Sequence, residues 1–197
     1  MIGQLPQSLK VCGHDYEIRS DYRNILTIIT AYNDGRLTDK EKAFICLYRV
    51  FKDVNSLPRS VEGYTAAIQA ATDFIECRLS NDKPSPKVVN WQKDEQLIFP
   101  AINKVAGTEV RMLPYLHWWT FLGYFQAIDR DDLWGFILAV RQKQMKHKKL
   151  EKYEQEFLIA NRELCSVEYL EDQKKPEDAL RAIYEELLKE GGTSKNG

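Results

Sequence analysis

Residues 114–128 read PYLHWWTFLGYFQAI, and three of the chain's four tryptophans lie between Trp118 and Trp134. Large aromatic side chains bury the most apolar area per residue, so this aromatic segment is typical of a core centre or a docking surface. Its apolar residues fall on two helical faces, Leu116, Trp119, Leu122 and Ile128 on one, Trp118, Phe121 and Phe125 on the other. Two apolar faces predict a central helix, covered by its own fold or partly by a partner.

The composition is that of an ordinary soluble globular protein. The chain has 197 residues, of which 44% are hydrophobic and 29% charged, and its formal net charge is −1. This balance gives no overall electrostatic attraction to nucleic acid or to an anionic membrane. No apolar run approaches the roughly 20 residues that span a bilayer, and the N-terminus lacks the pattern of a signal peptide. We therefore expect a cytoplasmic protein.

The four cysteines do not predict a metal site. Cys12, Cys46, Cys77 and Cys165 are far apart, and none belongs to a CxxC or CxxH pair. Zinc sites usually leave such close ligand pairs in the sequence. Cys46 and Cys77 lie in apolar helical patterns, so we expect small buried side chains with free thiols.

The first half of the chain carries clear signals for a hairpin and three helices. Residues 9–12 and 16–18 alternate around a predicted turn at 13–15. A helix is predicted to begin at Ser20 or Asp21 and to end at residues 33–35, and a capping box at residues 38–41 begins the next. The wide apolar stripe of that second helix, residues 44–51, predicts burial on more than one side. Ser60 is the expected cap of the third helix.

The second half is predicted to be helical as well. Pro100 is expected to kink or interrupt a helix near residues 91–105, and Pro114 is expected in the first turn of the aromatic helix. A further helix is expected at 133–140, and two or three more are expected between there and residue 188. The sequence thus predicts a mainly α fold, a bundle of about seven to eight helices with a short N-terminal β-hairpin. Its expected parts are a hairpin and three-helix region at 1–80, a linker at 81–90, a helical region at 91–190 and a disordered tail at 191–197.

Two clusters invite a catalytic or metal-binding interpretation, and each has a plainer one. His117 has no cysteine or carboxylate three or four residues away, so a packed histidine with one satisfied nitrogen is expected. Asp129, Asp131 and Asp132 lie between two helices, where Asp131 or Asp132 can cap the second. An EF-hand beginning at Asp129 fails, because Trp134 and Val140 occupy the positions that need glycine and glutamate. No nucleotide, hydrolase or metalloprotease motif is present, so we expect neither a cofactor nor an enzyme.

Residues 141–152 form a dense basic run. Such a run could contact nucleic-acid phosphates, although cations also favour a helix C-terminus and a solvated linker. An acidic protein partner is at least as good an interpretation. The candidate partner-binding residues are therefore the aromatic Trp118, Phe121 and Phe125 and the basic Arg141, Lys146, Lys148 and Lys149.

Several segments resemble the "gene-product-fifteen" family of tailed phages and prophages of Gram-positive bacteria. These are residues 91–99, 103–107, 115–122 and 137–141 with the lysine-rich stretch that follows, together with the early strand pair and residues 21–23. The element Tyr-Leu-His-Trp-Trp at 115–119 is the most specific of them. The resemblance extends to about residue 165 and is weakest in the charged segment after Lys174.

The resemblance implies a role in the assembly of long, non-contractile tails. The family's genes lie between those for the major tail protein and the tape-measure protein, which implies a non-catalytic tail assembly chaperone. The implied partners are the tape-measure protein, the major tail protein and a companion chaperone, in the host cytoplasm and outside the finished virion. Self-association is left open, no membrane is implied, and the alternative is a nucleic-acid-binding regulator that acts through residues 141–152.

Overall fold

The computed structural model describes residues 3–77 and 88–166. Over these residues the chain forms eight α-helices and one two-stranded antiparallel hairpin, which confirms the predicted mainly α fold. Most of the predicted linker, the predicted helix that ends at residue 188 and the predicted tail lie outside the described residues, so the predicted domain limits stay a prediction. No described helix has the length and hydropathy needed to cross a bilayer.

The chain divides into two compact units, and the described part of the first comprises residues 3–77 and 117–119. Its hairpin pairs β1, Ser8–Val11, with β2, His14–Glu17. The turn that joins them is Cys12-Gly13, both with positive φ, as a two-residue hairpin turn requires. The predicted turn at 13–15 was therefore wrong, because His14 and Asp15 belong to β2.

Three helices complete the first unit: α1, Tyr22–Tyr32, α2, Asp39–Val50, and α3, Val61–Ile75. The predicted caps are confirmed, since the side chains of Asp21, Thr38 and Ser60 each accept a backbone N–H of the helix that follows. α1 packs on α2, α2 on α3, and α3 on β1. Ile25, Cys46, Val50, Ala67 and Ala71 are fully buried, so the small side chains of α3 let its neighbours approach closely.

The described part of the second unit comprises residues 88–116 and 120–166. It contains α4, Glu95–Ala106, α6, Leu133–Met145, α7, Lys152–Ala160, and α8, Arg162–Cys165. The aromatic helix α5, Trp118–Gln126, belongs to this unit from Thr120 onward. The core of the unit includes Ile98, Ile102, Phe121, Ile137 and Val140, none of which has more than a trace of exposed surface.

Two proline predictions need correction. α4 continues through Pro100, so the predicted interruption was wrong. Pro100 is exposed and lies in the second turn, so the carbonyl left without a helical partner, that of Gln96, is also on the solvent side. Pro114 lies before α5 and not in its first turn, because the helix begins only at Trp118.

The segment between α5 and α6 explains why residue 135 is a glycine and what the side chain of Asp132 contacts. A Cβ at Gly135 would lie 2.0 Å from the backbone oxygen of Asp129, so only glycine fits there. Asp132 is the N-cap residue of α6, as predicted. Its carboxylate pairs with Lys104, however, and accepts no capping hydrogen bond.

Candidate partner-binding surfaces

The aromatic segment forms a clamp at the end of α3. The indole N–H of Trp118 donates to the backbone oxygen of Ile75 at 2.8 Å, and that of Trp119 donates to the oxygen of Phe74 at 2.9 Å. The last carbonyls of a helix have no partner within it, and here two tryptophans supply one. The Tyr-Leu-His-Trp-Trp element therefore carries a structural function.

His117 completes this clamp with both ring nitrogens. Nδ1 accepts the backbone N–H of Trp119 at 3.0 Å, so it acts as the cap of α5, and Nε2 lies 3.0 Å from the backbone oxygen of Pro6. A ring whose Nδ1 accepts and whose Nε2 donates is neutral. Burial lowers the pKa of His117, against a smaller opposing effect of the Pro6 hydrogen bond. The sequence predicted one satisfied nitrogen, and the structure shows two.

The other aromatic candidates lie in the core of the second unit. Phe121 is fully buried, with its ring 5.9 Å from those of Trp91 and Phe99, and the half-buried Phe125 lies 4.9 Å from Trp91. Trp118 is also buried, at 2% exposed. A partner cannot reach Trp118 or Phe121 in this conformation, and the partner role of all three candidates stays a prediction.

Arg141 belongs to the interior. Its guanidinium donates two hydrogen bonds to the carboxylate of Asp94, at 2.7 and 2.9 Å, and both side chains are almost entirely buried. It also donates to the backbone oxygens of Val88 and Leu164. Arg141, the first residue of the basic run, is therefore not accessible to a partner in this structure.

The rest of the basic run forms an ordered turn between α6 and α7. Lys148 donates its N–H to the oxygen of Lys143, and His147, at φ 51°, donates to that of Gln144. This pair of bonds is the Schellman ending of a helix, with histidine at the position that favours glycine. The turn presents Lys146, Lys148 and Lys149 to solvent.

Glu154 ties this turn to α7. Its carboxylate accepts the ammonium of Lys143 at 2.6 and 2.7 Å and the N–H of Glu151 at 2.8 Å. Burial raises the pKa of Glu154, but these hydrogen bonds outweigh burial and hold that pKa below its usual range. The pair fixes the start of α7 against the end of α6.

An aromatic cluster joins α6 to α7. The ring of Phe136 on α6 is 4.8 Å from that of Phe157 and 6.0 Å from that of Tyr153, both on α7. Tyr153 is 60% exposed. We call this cluster, together with Lys146, Lys148, Lys149 and Lys152, the α6–α7 corner.

A second exposed aromatic surface lies in the first unit. Phe44 and Tyr48, the α2 aromatic pair, stack at 5.9 Å and are 62% and 53% exposed. The guanidinium of Arg19 lies 5.8 Å from the centre of the Tyr48 ring. The predicted burial of the whole α2 stripe was wrong, since this pair faces solvent. The exposed Lys40 and Glu41, one turn before the pair on the same face, are the signal that could have indicated it.

The described residues do not assemble an evident catalytic centre. They contain no group of three or more histidine, cysteine, aspartate or glutamate side chains that could hold a metal. The buried thiol of Cys46 has its pKa raised to about 12 by burial, so it stays protonated and is a poor nucleophile.

The family model described as "Bacteriophage Gp15 protein" matches residues 1–167. No curated protein and no solved structure matches the chain. Because the match covers most of the chain, this protein belongs to the bacteriophage Gp15 family, as the sequence resemblance indicated.

Proposed function

We propose that this member of the bacteriophage Gp15 family is a tail assembly chaperone that binds the tape-measure protein and keeps it soluble. It acts without catalysis, in the host cytoplasm, and leaves before the virion is complete. Family membership supports a phage role, and the gene position implied by the sequence resemblance supports the tail.

The observation that carries the proposal is the exposure of large aromatic side chains in both units. Phe44 and Tyr48 in the first unit, and Tyr153 in the second, each expose more than half of their surface. Large apolar groups rimmed by charges are typical of protein-binding surfaces. Helix-in-groove binding takes an amphipathic helix by its apolar face, which is the chemistry of a long helical tape-measure chain.

Two separate surfaces also suit a long partner. A chain that contacts one protein at two points, or several copies along its length, gains avidity without strong individual contacts. Such binding can be released when tail-tube subunits replace the chaperone. The major tail protein and a companion chaperone are the further partners that this proposal includes.

Co-expression with the tape-measure protein of the same genome tests the proposal. We expect a larger soluble fraction of the tape-measure protein and co-elution of the two chains on size exclusion. A variant with Phe44→Ser and Tyr48→Ser should lower that soluble fraction, because it removes the α2 aromatic pair. The matched control is Met112→Ser, a change at another exposed apolar side chain, 81% exposed. A tape-measure protein that is equally insoluble with and without this chain would contradict the proposal.

A further inference from the structure

The α6–α7 corner concentrates positive charge in a short stretch of the chain, residues 146–152. Lys146, Lys148, Lys149 and Lys152 are exposed, whereas Glu151 and Glu156 are the exposed carboxylates of the same stretch. Lys152 pairs with Glu156 at 4.0 Å, Glu154 is buried against Lys143, and Arg141 is buried against Asp94, which leaves Lys146, Lys148 and Lys149 against Glu151. The corner therefore carries an excess of cations, while the whole chain has a net charge of −1.

Exposed apolar side chains lie on the same two helices, next to Lys152. Tyr153 follows Lys152 directly and packs with Phe136, and Leu133, one turn before Phe136, is 54% exposed. A ligand at this corner can thus bury apolar area and form charge pairs at the same time. The backbone that carries these residues is ordered, because the Schellman turn ends α6 and the Lys143–Glu154 pair joins the end of α6 to the start of α7.

The pattern favours a protein ligand over nucleic acid. Phosphates repeat at close and uniform spacing along a nucleic acid, so they would meet Glu151 and Glu156 as well as the lysines. A helix can instead place its carboxylates opposite the lysines only, and its apolar stripe against Tyr153. From this complementarity we infer that the α6–α7 corner binds an amphipathic helix whose apolar stripe is flanked by acidic residues.

The inference rests on the proposed function in one respect, because it assigns the acidic amphipathic helix to the tape-measure protein. The chemistry of recognition at the corner stands on the surface itself. Charge pairs of this kind at a rim set specificity and association rate, and the aromatic cluster supplies the area that is buried.

Fluorescence anisotropy with the full-length protein tests the inference. The probe is a synthetic helical peptide with leucine at i, i+3, i+4 and i+7 and glutamate on both flanks, and its matched partner has lysine in place of glutamate. We expect the acidic peptide to bind, more weakly at high salt, and the basic peptide not to bind. Lys148→Glu with Lys149→Glu, and Tyr153→Ser alone, should each weaken binding about tenfold or more.

A control variant separates the corner from a general charge effect. Lys10→Glu with Arg59→Glu changes the net charge equally at exposed positions of the first unit, and it should retain peptide binding. Equal binding of both peptides, or unchanged affinity in the corner variants, would overturn the inference. So would tighter binding of duplex DNA than of the acidic peptide. Corner-dependent dimers in sedimentation would also overturn it, since a second copy would then be the occupant.

The same variants in the co-expression assay keep the two proposals apart. If the tape-measure protein is held equally by the wild type and by the Lys148→Glu, Lys149→Glu variant, the chaperone function stands and the corner is not its binding surface. If the acidic peptide binds the corner but the tape-measure protein is never solubilised, the chaperone function and the assignment of the helix to the tape-measure protein fail, whereas recognition of an acidic helix at the corner stands.

Discussion

At the scale of single residues, His117 shows how hydrogen bonding fixes a charge state. Its Nδ1 accepts the N–H of Trp119 and is therefore unprotonated, and its Nε2 donates to the carbonyl of Pro6. A proton on Nδ1 would remove the cap of α5 and place a charge in a buried position. The ring is a structural group whose neutrality the fold requires.

The lowered pKa of His117 predicts a specific loss of stability in acid. Above about pH 6.5 the ring is neutral in both the folded and unfolded states, and its contribution is complete. Below that pH the unfolded state binds a proton that the folded state resists, so the free energy of unfolding falls, by at most about 1.4 kcal/mol per pH unit. The loss ends once the pH passes below the folded pKa.

Urea unfolding at about pH 7 and about pH 5 measures this effect. His117→Asn is the matched variant, because asparagine can cap α5 but does not titrate. We expect the wild type to lose more stability than the variant between the two pH values. His14 and His147 are exposed and common to both proteins, so they cancel. Parallel pH profiles would show that His117 does not control the acid response.

At the scale of elements, the helix ends are stabilised by different hydrogen-bond arrangements, some local and one formed by distant residues. α2 begins with a complete capping box, in which Glu41 also accepts the N–H of Thr38 at 2.8 Å. α3 ends against two tryptophan side chains, and α6 ends in a Schellman turn. The first device is visible in the sequence as a four-residue pattern, whereas the tryptophan donors come from more than 40 residues away.

The Schellman turn of α6 gives a stabilising prediction. His147 occupies the left-handed position with φ 51°, where a side chain costs about 1 kcal/mol and glycine costs nothing sterically. His147→Gly should therefore raise the free energy of unfolding by up to about 1 kcal/mol, as measured by the urea midpoint. Lys148→Gly, one residue later and outside the left-handed region, should not stabilise. An equal effect of the two changes would argue against a strained turn.

At the scale of the whole molecule, the second unit depends on one buried ion pair between distant parts of the chain. Arg141 joins α6 to Asp94 at the start of α4, to Val88 and to Leu164 in α8. The guanidinium has five N–H donors in a fixed fork, and this geometry suits three separate acceptors. The pair is thus a point where α6, α8, Val88 and the start of α4 meet.

Removal of the guanidinium should destabilise the second unit strongly. Arg141→Met leaves the buried carboxylate of Asp94 without its cation, which costs about 3–5 kcal/mol. Arg141→Lys should also be costly, because an ammonium cannot reach the same acceptors. Lys149→Met, at an exposed position of the same basic run, should change stability by at most about 0.5 kcal/mol. Chemical denaturation compares the three, and similar losses for Arg141→Met and Lys149→Met would contradict the buried role.

The sequence by itself determined the helical class, the hairpin and the starts of α1, α2 and α3. Each depends on contacts within a few residues, such as Asp21 with the N–H of Arg23 and Ser60 with that of Gly63. The tertiary structure alone decided which apolar and charged side chains remain on the surface. Arg141 is buried because Asp94, 47 positions away, faces it, and Phe44 and Tyr48 are exposed because no described segment covers them. Periodicity in a sequence reports that a helix has an apolar face, but distant parts of the chain determine whether that face is covered.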